Sequence, residues 1–289
     1  MARKYKNEKM PGSVKKLLAS GQSRAYNGGK TGQEGEKGTM RTAFIGCMVM
    51  NREISHLVSE SQNPIRTWWL RQGLHDTPDI LRHELQHIID EIERENEMLR
   101  ENQRFEVICL GYGLCSNGVV GLRPRSLPLV IPRCDDCISL FLGSADRYRK
   151  LFAEHKGIYW YNPGWIEQAF TPSTENYRVQ RAQYAELYGE ENADFLMEST
   201  NSWMHGYESC GYITCPLRRY PEYEAYTKQA AQDFGWTYFE EPGEMGYFEA
   251  LLHGPWDEER FLVCHPGERV QADYSNKKIC AVKIDETEA

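Results

Sequence analysis

The sequence predicts an α/β protein with a mostly parallel, doubly wound sheet. Short β-type runs alternate with longer helical patterns after residue 41, which is typical of parallel strands joined by crossover helices. A chain of 289 residues with 40% hydrophobic residues can bury a large core, either as one domain or as two closely packed parts. A change from a cysteine-rich half to a more aromatic half near residues 172–177 favours two similar Rossmann-like lobes around a cleft.

We predict seven strands and five helices from the local patterns. The strands are placed at 42–48, 105–110, 127–131, 158–161, 207–213, 236–239 and 261–264. The helices are placed between them, at 78–100, 144–155, 174–198, 220–234 and 244–252. This order gives three regions: a flexible basic, Gly-rich tail at 1–40, a cysteine-rich α/β lobe at 41–172 and a second α/β lobe at 173–289.

Charge and hydropathy exclude several classes of protein. The formal net charge of -8 argues against a nucleic-acid partner, which would need a basic face. Only the tail is basic, with nine Lys or Arg and three Glu. No apolar run approaches the roughly 20 residues that span a bilayer, and the amino terminus does not resemble a secretory signal. We therefore expect a cytoplasmic protein without a membrane partner, whose nine cysteines are core, metal-binding or catalytic thiols rather than disulfides.

The segment 83–87 matches the H-E-x-x-H pattern of zinc proteases. In the predicted helix 78–100, however, the apolar stripe fixes the buried face, and it consists of Leu81, Leu85, Ile88 and Ile92. At about 100° per residue, His83 and His87 point away from that stripe. We therefore interpret both histidines as part of a solvated helix face.

Three cysteines occupy equivalent places in successive strand-loop units. Cys47 ends the first predicted strand, Cys115 lies in the loop after the second, and Cys137 follows the third. Because the carboxyl ends of parallel strands share one edge of the sheet, these thiols are expected to converge where the strand order reverses. Three thiolates suit zinc with an open fourth position, or an iron-sulfur cluster with one exchangeable iron. For each cysteine alone, a buried apolar role is an equal alternative.

Further cysteines and a glycine-rich loop extend the candidate site. Cys210 and Cys215, spaced C-x4-C, are reserve metal ligands or core residues. The loop 111–118 fails as a dinucleotide motif because Ser116 stands where the third glycine is required. Its members can still bring backbone N–H groups close to a ligand, and we predict cofactor contacts from Gly111, Gly113, Ser116 and Asn117.

Three polar residues are candidates for catalysis. Asp136 lies beside Cys137, and Arg133 could hold an anionic substrate or lower a thiol pKa. His75 precedes the helix 78–100 and could serve as a ligand or as an acid and base. The aromatic loop 160–165 could wall a substrate pocket, although packing between lobes explains it equally well.

Five ordered motifs together resemble the family called domain of unknown function 1638, over residues 41–200. They are GCMVMNREI, LHDTPDILRHELQ, LGYGLCSNGVVGL, LPLVIPRCDDCISLFLGS and GIYWYNPGW. The resemblance implies that Cys47, Cys115 and Cys137 are the family's motif cysteines. It also implies that Asp136 and Cys137 form the family's Asp-Cys pair.

Two further positions follow from the resemblance. Relatives commonly have His before the Asp-Cys pair, where this chain has Asp135, and this argues against a nitrogen ligand there. The family's Leu-His element corresponds to His75. Members of the family resemble neighbours of corrinoid and methylamine-type methyl-transfer systems in anaerobes.

These observations lead to three hypotheses of function. The first is a zinc-thiolate enzyme of anaerobic one-carbon metabolism that acts on a small molecule, with methyl transfer linked to a corrinoid protein as partner. The second is an iron-sulfur protein for electron transfer or reductive activation, with Cys210 or Cys215 completing the cluster. The third is a metal or corrinoid carrier without turnover. Fold class alone does not separate them.

Overall fold

The computed structural model describes residues 39–284, so residues 1–38 of the predicted tail lie outside the described residues. Ten strands occur in this range, and they are β1 (Thr42–Cys47), β2 (Ile65–Leu70), β3 (Val107–Gly111), β4 (Leu129–Pro132), β5 (Ile158–Tyr161), β6 (Ser209–Thr214), β7 (Thr237–Pro242), β8 (Phe261–Cys264), β9 (Glu268–Ala272) and β10 (Ile279–Lys283).

Nine α-helices connect these strands within the described range. They are α1 (Asn51–Glu60), α2 (Pro78–Met98), α3 (Ile138–Phe141), α4 (Ala145–Glu154), α5 (Pro163–Gln168), α6 (Thr174–Tyr188), α7 (Glu190–Asn201), α8 (Pro221–Phe234) and α9 (Gly246–His253). No described helix is long and apolar enough to cross a membrane.

The larger sheet has five strands in the order β2-β1-β3-β4-β8. Strands β1 to β4 pair in parallel, and β8 pairs antiparallel to β4. Strands β1, β3 and β4 are buried along their whole length, as expected for parallel strands covered on both faces. The predicted α/β class with a mainly parallel central sheet is confirmed.

The smaller sheet is parallel throughout, in the order β5-β6-β7, and β9 and β10 form a separate antiparallel pair. The predicted division near residues 172–177 does not coincide with the boundary between the two sheets. Strand β5 precedes the division and belongs to the smaller sheet, whereas β8 follows it and joins the larger one. The organisation into two similar lobes stays a prediction.

Helix α2 confirms the main features predicted for its segment. Thr77 occupies the N-cap position, but its hydroxyl donates to the carbonyl of Leu74 instead of capping the helix. His83 and His87 are exposed, as predicted. The buried stripe contains Ile89 where we predicted Ile88, which is half-buried.

The predicted strands and helices all occur, with shifts of a few residues at their ends. The predicted helix 174–198 is divided into α6 and α7 at Gly189, whose positive φ of 87° interrupts the helix. Helices α1, α3 and α5 and strands β2, β9 and β10 were not predicted. Strand β2 is only half-buried, so it lacks the fully apolar pattern of its neighbours.

Candidate functional site

The candidate site lies where the strand order of the larger sheet reverses. Strand β1 has β2 on one side and β3 on the other, so the carboxyl ends of β1 and β3 form the switch point of the sheet. Gly46 pairs with Gly111 in this register. Cys47, which ends β1, therefore lies beside the first residue after β3, Tyr112.

All three predicted motif cysteines line one cavity of about 350 Å³ at this edge. We call it the thiol cavity. It is lined by Cys47, Val49, Gln72, His75, Tyr112, Leu114, Cys115, Ser116, Asp135, Asp136, Cys137, Ile138 and Trp165. The predicted convergence of Cys47, Cys115 and Cys137 at one sheet edge is thus present in the structure.

Two chain segments run side by side to bring Cys115 and Cys137 together. The N–H of Leu114 donates to the carbonyl of Cys134, and the N–H of Cys115 donates to that of Asp135, each at 2.8 Å. Gly113 allows this approach, because a Cβ there would stand 2.6 Å from the carbonyl oxygen of Cys134. Gly113 is therefore a packing residue, and it does not line the thiol cavity.

The turn after this contact has an unusual backbone. Cys115, Ser116 and Asn117 have φ values of 44°, 55° and 67°, so three successive residues other than glycine adopt the left-handed conformation. Such a residue costs roughly 1–2 kcal/mol in this region, and strained backbone clusters at functional sites. The turn holds the buried Cys115 side chain at the cavity while Ser116 and Asn117 remain exposed.

A buried phenol lies among the thiols. Tyr112 is 4% exposed, and its hydroxyl lies close enough to the Cys47 thiol for the two groups to shift each other's pKa, without forming a well-aligned hydrogen bond to any residue of 39–284. Burial raises the pKa of Tyr112 well above its usual value, and negative charge on Cys47, Cys115 or Cys137 raises it further. A buried hydroxyl without a well-aligned hydrogen bond is costly, so this group is available to a bound ligand.

The thiols themselves are protonated at neutral pH. Burial raises the pKa of Cys47, and burial and the nearby Asp136 raise the pKa of both Cys115 and Cys137 above that of a free cysteine. These cysteines are therefore not activated nucleophiles by themselves. A cation in the thiol cavity would reverse this effect, since a metal-bound thiol is deprotonated.

Asp136 is the carboxyl best suited to proton transfer near neutral pH. Its burial raises its pKa to about 6, although hydrogen bonds from the N–H of Ile138 and the hydroxyl of Tyr148 oppose the shift. Those contacts measure 2.9 Å to Oδ1 and 3.2 Å to Oδ2. A general acid or base works best with a pKa near the working pH.

An aromatic cleft of about 500 Å³ adjoins the thiol cavity. The two share Gln72, His75, Asp136, Ile138 and Trp165. The cleft adds the aromatic residues Tyr148, Phe152, Tyr159, Trp160 and Tyr207. The indole Nε1 of Trp160 is buried without a partner within the described residues. The predicted aromatic loop 160–165 forms the end of β5 and the start of α5, and its Trp160 and Trp165 line the cleft and also pack against the larger core. Its role at a substrate pocket stays a prediction.

His75 lies at the junction of the thiol cavity and the aromatic cleft. Its side chain is 47% exposed, and its Nε2 lies 3.3 Å from Oδ1 of Asp76. It is close enough to Asp136 to lower the pKa of that carboxyl, but this effect is smaller than those of burial and of hydrogen bonding. The structure thus places two of the three predicted catalytic residues together.

The reserve ligands Cys210 and Cys215 do not line the thiol cavity. Cys210 is buried in the core of the smaller sheet, with its Sγ 3.8 Å from the carbonyl of Thr227. Cys215 follows β6, and its Sγ lies 3.4 Å from Oε1 of the buried Glu53. Strand β6 belongs to the smaller sheet, and this separates both thiols from the other three.

Arg133, Gly111 and Asn117 also lie outside the lining of the thiol cavity. Arg133 instead borders a different cavity at the end of β4. A Cβ on Gly111 would approach Sδ of Met50 to 2.5 Å, so this glycine serves close packing of β3. Among the predicted cofactor contacts, Ser116 alone lines the thiol cavity.

The thiols are not arranged as a preformed metal centre. Within residues 39–284, no three side chains of His, Cys, Asp or Glu form a group that could hold a metal ion. All nine cysteines are free thiols. The donor set nevertheless matches the soft metals by type, because three sulfur atoms share one cavity.

Sequence patterns did not identify three residues of the site: Gln72, Tyr112 and Tyr148. Tyr112 stands between Gly111 and Gly113. The only sequence feature that could have identified it as a site residue is its closeness to Cys115. Tyr148 belongs to the amphipathic helix α4, and its contact with Asp136 depends on how that helix packs.

Comparison with known proteins identifies one family and no function. No curated protein and no solved structure matches the chain. A family model described as protein of unknown function (DUF1638) matches residues 69–252, which contain Cys115, Cys137, Asp136 and His75. This match covers more than half of the 289 residues, so the chain belongs to the DUF1638 family.

Proposed function

We propose that the protein is an enzyme that acts on a small molecule in the thiol cavity, with a soft metal ion held by Cys47, Cys115 and Cys137. One observation carries the proposal. Three cysteines from separate parts of the chain line a single cavity at the switch point of the sheet. Zinc is the first candidate, because three thiolates leave its fourth position open to substrate.

The metal requires a change of the thiols from their present arrangement, in which no described group of ligands is ready for an ion. A cysteine side chain moves its sulfur by rotation about one bond between staggered rotamers. Such rotation could draw the sulfurs together without moving the backbone. When bound, the metal would act as a Lewis acid and lower the pKa of a coordinated substrate group such as a thiol.

The residues around the thiols supply the other parts of an active site. Asp136, with a pKa of about 6, would take or return a proton at its carboxyl oxygen. The buried hydroxyl of Tyr112 would donate a hydrogen bond to a polar atom of the substrate. The aromatic cleft would hold an apolar or flat part of the same molecule.

The cellular setting follows from the same proposal. Nine free thiols are expected to remain reduced in the cytoplasm, where we place the protein. Methyl transfer linked to a corrinoid protein is the reaction we propose within one-carbon metabolism. In this reaction, the substrate group that accepts or gives the methyl would bind at the open position of the metal.

Metal analysis of anaerobically purified protein tests the proposal. We expect about one zinc per chain in the wild type and its loss in Cys115→Ser and Cys137→Ser. Cys280→Ser is the matched control, since Cys280 is a half-buried thiol on β10 outside the thiol cavity. Unchanged metal content in both cavity variants would contradict the proposal.

Two other results would select the alternative hypotheses. A brown preparation absorbing at about 400 nm would indicate an iron-sulfur cluster. The cluster would then take the place proposed for zinc in this cavity. Cys134 would then be the first candidate for the fourth ligand, because it is close enough to affect the pKa of Cys137. Tight retention of metal or corrinoid without turnover of any thiol substrate would instead indicate a carrier.

A further inference from the structure

A second cavity, of about 420 Å³, lies beside the carboxyl end of β4. We call it the Arg133 cavity. It is lined by Arg133, Gly143, Ser144, Ala145, Asp146, Arg149, Tyr247, Glu259, Arg260, Asn276 and Lys277. Its lining shares no residue with the thiol cavity. Four cations and two carboxylates give it a net charge of +2, in a chain whose formal net charge is -8.

Arg133 is the most informative residue of this cavity. It is 9% exposed, and its hydrogen bonds hold the side chain against neutral carbonyl groups. Nε donates to the carbonyl of Phe261 at 3.1 Å, and Nη1 donates to the carbonyls of Lys277 and Ile279. These bonds fix the guanidinium without neutralising its charge.

The charge of Arg133 is only partly balanced by nearby carboxylates, since Asp273 and Glu258 are close enough to raise its pKa but not enough to offset the effect of burial. No carboxylate of residues 39–284 forms an ion pair with it, and its Nη2 makes no hydrogen bond within the same residues. Burial lowers the pKa of Arg133 from its usual value, as expected for a cation removed from water. A buried charge without a direct ion pair is costly, so a bound anion would offset part of the free-energy cost of burying Arg133.

Other groups of the cavity complement an anion. Lys277 is exposed and forms no ion pair with the described residues. Arg260 is partly neutralised by Asp257, 2.7 Å away, and Arg149 by Asp146. The first turn of α4, a ten-residue helix, also lines the cavity, and the amino end of a helix favours negative charge.

We propose that the Arg133 cavity binds a phosphate group, either free or carried by a small molecule. The Nη2 group of Arg133, which makes no hydrogen bond to the described residues, can donate to a phosphate oxygen, and a phosphate with two negative charges would match the net charge of +2 of the cavity lining. The volume of about 420 Å³ is large enough for a diphosphate. This site is independent of the function proposed for the thiol cavity.

Calorimetric titration of the full chain with inorganic pyrophosphate tests this proposal. We expect saturable binding with a Kd below about 1 mM at low ionic strength. Lys277→Glu should weaken it about tenfold or more, because it reverses a charge on an exposed side chain without disturbing the core. Arg133→Met should abolish it, since it removes the buried guanidinium.

The control variant is Arg125→Met, which removes an exposed arginine paired with Asp90 outside the cavity. It should leave pyrophosphate binding unchanged. Arg133→Met could lose binding because it misfolds, whereas Lys277→Glu changes an exposed residue and should fold normally. Loss of binding in Lys277→Glu therefore tests the site independently of folding. Absence of saturable binding by the wild type, or equal binding by wild type and Lys277→Glu, would overturn the proposal.

Two further titrations distinguish the chemistry of the anion. Orthophosphate in place of pyrophosphate should bind less tightly at the same site, as shown by competition. Citrate should compete poorly, because its carboxylates do not match a tetrahedral phosphate. Displacement of pyrophosphate by citrate at equal concentration would contradict a phosphate site.

Discussion

The hydroxyl of Tyr148 donates a hydrogen bond of 3.2 Å to Oδ2 of Asp136, where the thiol cavity meets the aromatic cleft. The bond stabilises the charged carboxylate, so it lowers the pKa of Asp136 against the larger opposing effect of burial. Helix α4 therefore contributes to the pKa of Asp136, which lies just before α3. The proposed acid or base depends on this contact between two elements.

Substitution of Tyr148 by Phe should raise the pKa of Asp136 above its value of about 6. The ring remains to fill the cleft, while the donor that stabilises the charged form is lost. We expect a shift of about one pH unit, which corresponds to a hydrogen bond to a charged group. Carboxyl carbon NMR, with Asp136→Asn to assign the signal, measures the shift.

Tyr274→Phe provides the control for this substitution, because Tyr274 is fully exposed and distant in sequence from both residues. It should leave the titration of Asp136 unchanged. If Tyr148→Phe also leaves the pKa of Asp136 where it is in the wild type, the contact has no electrostatic effect.

Asp136→Asn should make the protein more stable at neutral pH. The carboxyl has a usual pKa of 3.8 and a pKa of about 6 in the folded protein, so the folded state holds the proton more tightly. Its contribution to the free energy of unfolding is therefore fully present below about pH 4 and is lost as the pH rises through about 6. Asparagine has no such loss.

The difference in stability between Asp136→Asn and wild type should reach about 2–3 kcal/mol above pH 7 and disappear below about pH 4. Urea unfolding across this pH range measures it. Glu154→Gln, at the exposed end of α4, is the control and should show no comparable change. A constant difference at all pH values would mean that Asp136 does not titrate in this range.

The convergence of the three thiols was predictable because it depends on geometry that the sequence encodes locally. Apolar runs located β1, β3 and β4, and the carboxyl ends of parallel strands meet at one edge. Cys47, Cys115 and Cys137 follow those strands within a few residues, so their placement at one cavity required no knowledge of side-chain packing.

The positions of Cys210 and Cys215 were not predictable in the same way. Strand β6 is buried along most of its length like the central strands of the larger sheet, and local pattern does not determine which sheet a strand joins. Arg133 illustrates a second limit. It lies only four residues before Cys137, yet its side chain turns to carbonyls of β8 and of the segment before β10, which are distant in sequence.

Gly113→Ala should destabilise the protein and disturb the thiol cavity. The added methyl would stand 2.6 Å from the carbonyl oxygen and 2.8 Å from Sγ of Cys134, and the carbonyl belongs to backbone that cannot move freely. We expect a loss of about 2–4 kcal/mol in the free energy of unfolding. Thermal and urea unfolding measure the loss.

Gly246→Ala is a matched control for this glycine, because a Cβ there has no atom within 4 Å and the residue begins α9. It should change stability by less than about 1 kcal/mol, in the stabilising direction. Equal effects of the two substitutions would show that the close approach of Gly113 to Cys134 is not needed for the fold.

Zinc binding at the thiol cavity should release protons, because burial holds the thiols of Cys47, Cys115 and Cys137 in the protonated form. Each thiol loses its proton when it coordinates the metal, so about three protons should leave per zinc ion near neutral pH. Affinity should consequently increase with pH. Anaerobic calorimetry in buffers of different ionisation enthalpy counts the protons. Cys137→Ser should release about one fewer, whereas Cys280→Ser should match the wild type. Zinc uptake without proton release would show that these buried thiols are not its ligands.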